Sequence, residues 1–383
     1  MLYSPTVASA GLIITYLAFL SSGEALARMK QVVFRPPVYW GLAFVGVVVA
    51  GFAYGQASWQ ERWVDLLKWR TLLWFVVLFA LFDDERWKMR LMSVFLIGTG
   101  VGLAASFAGV FGWVTLWRAP SDLLRNYVTQ AMSFSISALI CVWMLLAGRV
   151  RGREQYALTA LSALFAINVL FVTNSRSGYV VLGLGIGVLL IWHTSPKHWS
   201  KAVAGLFLLM GLVFLISPRM QDKISRGINE WVQVNESKEL TAMGIRKIFY
   251  THSIEIVLNH PALGVGTGGF KAAYAEQIAN RYSPSDWRSE IAGDPHNQYL
   301  AILVQHGLVG LLVFFIWLDS VVRFKGGMPC YRGLALAILC GWCVTSLFSS
   351  HFRTFAEGHL VTTFLGVLLA VSSSDSESHV GPQ

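Results

Sequence analysis

Apolar runs of membrane-spanning length recur along almost the whole chain, separated by short polar or basic connections. A spanning helix needs roughly 17–25 mostly apolar residues. Candidate segments lie near 6–22, 38–55, 63–82, 91–114, 127–147, 156–173, 178–194, 200–217, 298–319, 331–350 and 355–371. Each has to be a helix, because lipid offers no partner for backbone N–H and C=O groups and a single apolar run can satisfy them only internally. The pattern predicts an all-α polytopic membrane protein of about 11–12 transmembrane helices. With eleven spans the N-terminus lies outside the cytoplasm, and with a twelfth it lies inside; the parity from residue 23 onward is the same either way.

One stretch, 218–297, interrupts the pattern. Ile224, Ile228 and Trp231 suggest a short amphipathic piece, and Gly244 to Asn259 reads as a helix with Ile245, Ile248, Phe249, Ile256 and Val257 as its apolar stripe. Pro261 and a glycine cluster end that helix, and a third follows from Lys271 to Arg281. A long loop with helices of its own is usually functional. The chain then divides into the helices of 1–217, the loop 218–297, the helices of 298–371 and a polar tail, 372–383, that reads as disordered.

Basic residues in short loops orient the spans. One set of connections holds Arg28, Lys30, Arg35, Arg86, Lys88, Arg90, Arg149, Arg151, Arg153, Lys197, Lys201, Arg323, Lys325 and Arg332. The opposite short loops hold only Arg62, Lys68, Arg118, Arg125, Arg176 and Arg353. The richer set is cytoplasmic, which puts 218–297 on the outer face.

Composition agrees: 55% of residues are hydrophobic and 13% charged, against about 25% charged in soluble domains. A net charge of +9 would suggest nucleic acid in a soluble protein. Here the basic residues sit between apolar runs, which fits topology signals and anionic membrane lipids, and no nucleic-acid-binding signature is present. Cys340-Gly341-Trp342-Cys343 spells a redox motif without the βαβ setting it needs, so these read as helix cysteines. The start of the chain lacks the basic region of an ordinary signal peptide.

The candidate chemistry gathers on the outer side. His296, in Asp294-Pro295-His296-Asn297, precedes a helix N-terminus, whose dipole disfavours imidazolium and leaves a neutral ring able to take a proton. From its position alone an interfacial capping histidine is the commoner reading. Arg246 opens the second loop helix beside Lys247, and Arg176 sits in the turn Asn174-Ser175-Arg176-Ser177-Gly178. Their guanidinium forks suit phosphate oxygens, although most surface arginines contact only lipid headgroups. Asn297, Lys247, Arg125 and Tyr127 are candidate site-lining residues, whereas His351, Arg353 and Glu357 read as interfacial ion-pairing residues. Gly264 to Gly269 spells G-x-G-x-x-G after a helix rather than a strand, so it reads as a sharp turn and not a dinucleotide site. Gly307 and Gly310 read as close-packing positions. The outer loops hold no constellation of metal-ligand spacing. No G-x-S-x-G elbow is present, and the Asn235-Glu236-Ser237 sequon carries no weight.

Together these pieces resemble a family. His296-Asn297, nine residues and then Gly307-Leu308-Val309-Gly310 looks like the H-[NSQ]-x9-G-x-x-G signature of O-antigen ligases, members of an O-antigen ligase/polymerase superfamily. The Asn174–Gly178 turn is similar to the family's S-R-S/G turn, and Pro261 through Phe270, after Gly244-Ile245-Arg246, is similar to its P-x-x-G-x-G-x-G-x-F stretch. The likeness covers about 160–320, and the family's twelve spans exceed the eleven counted here. The resemblance implies a GT-C-like, metal-independent, cofactor-free inverting glycosyltransferase of the bacterial inner membrane with a periplasmic active site. Its donor would be a glycan on undecaprenyl diphosphate and its acceptor the terminal sugar of lipid A–core oligosaccharide. Arg176 and Arg246 would hold the diphosphate, and His296 would deprotonate the acceptor hydroxyl.

Within the superfamily, an O-antigen polymerase would use the same donor, and a protein O-oligosaccharyltransferase would usually carry an extra C-terminal region. From another class, a lipid-linked glycan transporter or flippase would also need cations, but should show matched halves and charges near the bilayer midplane. No internal repeat is visible, and the polar features gather at one surface.

Overall fold

The computed structural model describes residues 4–173, 175–232, 241–279, 281–283 and 285–371. The 235–237 sequon and the tail from 372 lie outside them. Among the described residues the regular elements are helices. Helices α1 (Pro5–Ser21) and α2 (Ala25–Val32) meet at 97°. There follow α3 (Pro36–Tyr54), α4 (Trp59–Lys68), α5 (Arg70–Leu81), α6 (Glu85–Val110), α7 (Tyr127–Leu146), α8 (Arg153–Ile167), α9 (Arg176–His193) and α10 (Trp199–Ile216). The long loop contains α11 (Pro218–Val232), α12 (Ala242–Asn259) and α13 (Phe270–Ile278), close to the three pieces expected there. The chain finishes with α14 (Gln298–Arg323), α15 (Pro329–Thr345) and α16 (Phe355–Leu369).

Each of the eleven predicted apolar segments contains a helix, and the protein is an all-α polytopic membrane protein. Among the described residues, seven helices are long and apolar enough to cross a membrane alone, or up to eight if the bent α1–α2 pair is one span. The remaining predicted spans are shorter helices for a visible reason. Segment 63–82 breaks at Trp69, where amphipathic α4 gives way to α5, so neither piece spans alone. Helices α5 and α16 are short, buried almost throughout and packed against each other, with Gly366 letting the α5 backbone approach. Helix α10, by contrast, turns nearly all its apolar side chains outward, as a lipid-facing helix should.

The two ends of the bundle are tied differently. At one end, Arg28 pairs with Asp83 at 3.1 Å, Arg149 with Glu85 at 2.7 Å, and Lys88 Nζ donates to the Ala370 carbonyl at 2.7 Å. These residues belong to the basic connections expected on the cytoplasmic side. At the other end the N-termini of α7, α9, α14 and α16 meet. Thr129 Oγ1 donates to Glu357 at 2.5 Å, Ser135 Oγ to the Gly178 carbonyl at 3.0 Å, and the Gln298 N–H to the Ser346 carbonyl at 2.8 Å. The histidine and arginines singled out in the sequence lie at this second end.

Candidate active site

The turn Asp294–Asn297 is built by its own side chains. Asn297 caps α14, its Oδ1 accepting from the Tyr299 and Leu300 N–H groups at 3.0 and 3.1 Å. Asp294 Oδ1 accepts from the His296 N–H at 2.8 Å and from Ser350 Oγ at 2.7 Å. The other oxygen, Oδ2, faces Arg353 at 3.3 Å. His296 has φ 54°, a left-handed conformation that costs a non-glycine residue on the order of 1–3 kcal/mol and persists only where surroundings impose it. Arg353 is 3% exposed and also pairs with buried Asp65 of α4, which Lys68 contacts at 2.9 Å. One guanidinium thus bridges two carboxylates and ties the histidine turn to α4.

Helix α12 brings the second half of the site. Arg246, Phe249 and Tyr250 fall three and four residues apart, so they share one helix face. Tyr250 Oη donates to the Leu347 carbonyl at 2.8 Å and to the His296 carbonyl at 3.3 Å. The His296 ring stacks on Phe249 with centroids 5.9 Å apart and planes 16° from parallel. Burial lowers the His296 pKa below its ordinary 6.5; Arg246 pushes the same way, and Asp294 opposes them. The ring is nevertheless open to a cavity of about 430 Å³ bounded by Ile245, Phe249, Trp287, Glu290 and Asp294.

What fixes α12 against α14 is the glycine-rich loop after it. Gly307 interrupts α14 with φ 60° and ψ −161°. The Leu308 and Val309 N–H groups turn to the Pro261 and Ala262 carbonyls, at 2.9 and 3.2 Å, and a Cβ on Gly307 would collide with Ala262. The Val265 and Gly266 N–H groups bond to the Val304 and Gln305 carbonyls, both at 2.9 Å, and Thr267 N–H reaches Gly51 of α3 at 3.0 Å. Gly266 has φ 83° and lies against the Gly55 backbone, so a side chain fits neither its conformation nor its space. The loop is therefore a backbone splice between α3, α12 and a broken α14. The sharp turn expected at 264–269 is present; Gly307 is a helix break rather than merely a close-packing position.

Arg176 lies in a different cavity. As the first residue of α9 it reaches across to α11, where its Nη2 donates to the Lys223 carbonyl at 3.0 Å and its guanidinium lies over Gly227. The cavity, about 460 Å³, is lined by Arg176, Lys223, Arg226, Asp222, Glu230 and Tyr179 among others. Burial, then Arg176, lowers the Lys223 ammonium to about 8. Helices α11 and α12 touch near the first of these cavities: Glu230, which lines it, accepts from the Met243 N–H at 3.2 Å, and Arg246 Nη1 approaches Met243 Sδ at 3.5 Å. Arg246 lies near enough to His296 to act on its charge, while Arg176 faces the other cavity.

Arg246 and Asn297, like the remaining sequence candidates, line neither cavity. Lys247 follows Arg246 and is turned about 100° around α12. Arg125 stacks its guanidinium over Phe355 at 5.3 Å, and Tyr127 is half-exposed at the start of α7. Of the three residues expected to form interfacial ion pairs, Arg353 forms buried ones, Glu357 accepts the Thr129 hydroxyl instead, and His351 is buried with no hydrogen-bond partner on either ring nitrogen among the described residues. The sequence reading passed over Asp65, Tyr250 and Trp287. Asp65 had a signal, a carboxylate inside a predicted span; Trp287 had none.

Residues 161–315 match the family model of O-antigen ligase, so this part of the chain is a domain of the O-antigen ligase/polymerase superfamily, as the motifs suggested. No curated protein matches the chain closely enough to count as a relative. The match spans α9, α12 and most of α14, and so takes in Arg176, Arg246 and the His296 turn that leads into α14.

Proposed function

We propose, with membership of that superfamily as the premise, that the protein is an O-antigen ligase. It moves a glycan from undecaprenyl diphosphate to the terminal sugar of lipid A–core oligosaccharide, at the periplasmic face of the bacterial inner membrane. The 218–297 loop and the N-terminal ends of α7, α9, α14 and α16 form that face. The observation that carries the reading is His296: a histidine held in a left-handed turn and open to a cavity, whose burial outweighs Asp294 and lowers its pKa. Such a ring is placed to take a proton from an acceptor hydroxyl. The hydroxyl oxygen then attacks the anomeric carbon of the donor from the face opposite the leaving group. The bond from that carbon to the diphosphate oxygen breaks, the electron pair stays on the diphosphate, and the configuration inverts.

The leaving diphosphate gains charge as the bond breaks, and cations aimed at it stabilise the transition state more than the ground state. Arg176 and Lys223 supply that charge in the cavity next to α11, where Arg226 already pairs with Asp222. Arg246 stands between this cluster and His296, where it serves both ends of the reaction. The lipid tail of the donor explains why the enzyme is embedded. No cofactor or metal has a role in this scheme.

The test is in vitro transfer by protein in nanodiscs, with a polyprenyl-diphosphate glycan, with and without lipid A–core, and with EDTA present. Product that depends on lipid A–core supports the ligase reading. Elongation of the lipid-linked glycan without lipid A–core makes the protein a polymerase, and donor crossing the bilayer without any transfer makes it a transporter.

A further inference from the structure

We infer that the cavity beside His296 is a subsite for a neutral pyranose, in which the Trp287 indole supplies the stacking face and the Glu290 carboxylate accepts sugar hydroxyls. The inference rests on the ligase reading and says which part of the acceptor the cavity holds.

Charge separates this cavity from its neighbour. Its lining includes two carboxylates, Asp294 and Glu290, and no Lys or Arg. A diphosphate would be repelled here, whereas sugar hydroxyls are donors that a carboxylate accepts. Asp294 already accepts from the His296 N–H and Ser350 and pairs with Arg353, so Glu290, exposed at the rim, is the carboxylate placed to meet a ligand. The rest of the wall is mostly apolar, with Ile245, Phe249 and Trp287. Apolar and aromatic walls with a few placed polar groups are the usual make-up of small-molecule sites, and about 430 Å³ lies in their range of roughly 300–1,000 Å³. The axial C–H face of a pyranose is apolar and packs flat on an indole ring, while its hydroxyl edge points away to the polar groups.

The strap that carries Trp287 is anchored before any ligand arrives. At one end Tyr282 shares a hydrogen bond of 2.8 Å with His252 of α12, and Arg288 lies over the Tyr282 ring at 4.9 Å. Asp286 caps the short turn, its Oδ1 accepting from the Arg288 N–H at 2.9 Å. At the other end Ala292 is 4% exposed in a cluster with Ile256 and Leu300. Trp287 thus lines the cavity from residues 285–292, which Arg288 ties through the Tyr282 ring to α12 and Ala292 ties to α14. A sugar stacked there would have its outer hydroxyls beside the His296 ring.

Binding and transfer, measured in parallel on full-length protein in nanodiscs, test this. Lipid A–core is titrated into wild type, Trp287→Ala, Trp287→Phe and Glu290→Gln, and donor affinity is measured on the same samples. Trp287→Ala is expected to weaken lipid A–core binding about tenfold, Trp287→Phe to retain most of it, and Glu290→Gln to weaken it severalfold, all with donor affinity unchanged. Equal lipid A–core binding by wild type and Trp287→Ala, a loss that falls on the donor instead, or no lipid A–core binding by wild type overturns the subsite. Should Trp287→Ala fail to fold, Trp287→Phe and Glu290→Gln decide on the same readout. Tryptophan-dependent binding by a wild type that performs no transfer keeps the subsite and sinks the ligase reading alone.

Discussion

The two cavities flanking the start of α12 are similar in size and opposite in construction. One rests on α9 and α11 and offers Lys223, an Arg176 bonded to the Lys223 carbonyl, and an Arg226 paired with Asp222. The other is framed by a strained histidine, a capped helix end and a strap pinned at both ends. Neutralising a diphosphate needs positive charge within a few ångströms and tolerates slack. Taking a proton from one hydroxyl needs a single atom in one place, and a misplacement of about 1 Å can cost on the order of a hundredfold. The glycine splice, the Asp294 hydrogen bonds and the buried Arg353 all act on the second cavity, where that precision is needed.

The contrast can be broken by mutation. The largest effect should follow His296→Ala: a loss of about 10²–10⁴-fold in transfer rate, the usual contribution of a positioned base, with donor binding and thermal stability kept. Next is Gly307→Ala, which puts a methyl group into Ala262 at a positive φ. It should uncouple α12 from α14 and lower the melting temperature in detergent along with kcat; a protein as stable and active as wild type would refute the splice. Arg353→Gln leaves Asp294 without its cation and the buried Asp65 with Lys68 alone, and should cost about 3–5 kcal/mol in denaturant unfolding. Arg176→Lys keeps the charge and loses the fork, so it should raise the donor KM severalfold, leave the acceptor KM alone and be milder than Arg176→Ala.

The smallest effect sharpens the comparison through pH. In the proposed mechanism His296 acts as the neutral ring, and its pKa is lowered from 6.5, so the rate should fall only as pH drops through that lowered value. Asp294 raises the His296 pKa, so Asp294→Asn, which keeps an acceptor for the His296 N–H, should move the acid limb to lower pH. Arg246→Ala removes a neighbouring positive charge, and should move it to higher pH.

Much of this was legible in the residues, for reasons that can be named. The spans follow from apolar run length, and the α12 stripe from helical periodicity. Arg246, Phe249 and Tyr250 share a face by spacing alone, and Asn297 before an apolar run announces a cap. The glycines announced tight turns, but not that 261–267 would graft onto a helix forty residues later, because backbone pairing across such a distance leaves no local pattern. Segment 63–82 had enough apolar residues to span, yet Asp65 is buried against Arg353 and the helix breaks at Trp69. Tertiary pairing outweighed hydropathy there. Trp287 is one of fifteen tryptophans, and nothing in its neighbours marks it as the one lining the His296 cavity.

The most direct test of the central claim is the pH dependence of single-turnover transfer, at saturating donor and lipid A–core, for wild type and His296→Ala. The account predicts an acid limb below pH 6.5 in wild type, and a slow residual rate without that limb in His296→Ala. The same limb in both proteins, or an undiminished rate in His296→Ala, would contradict it.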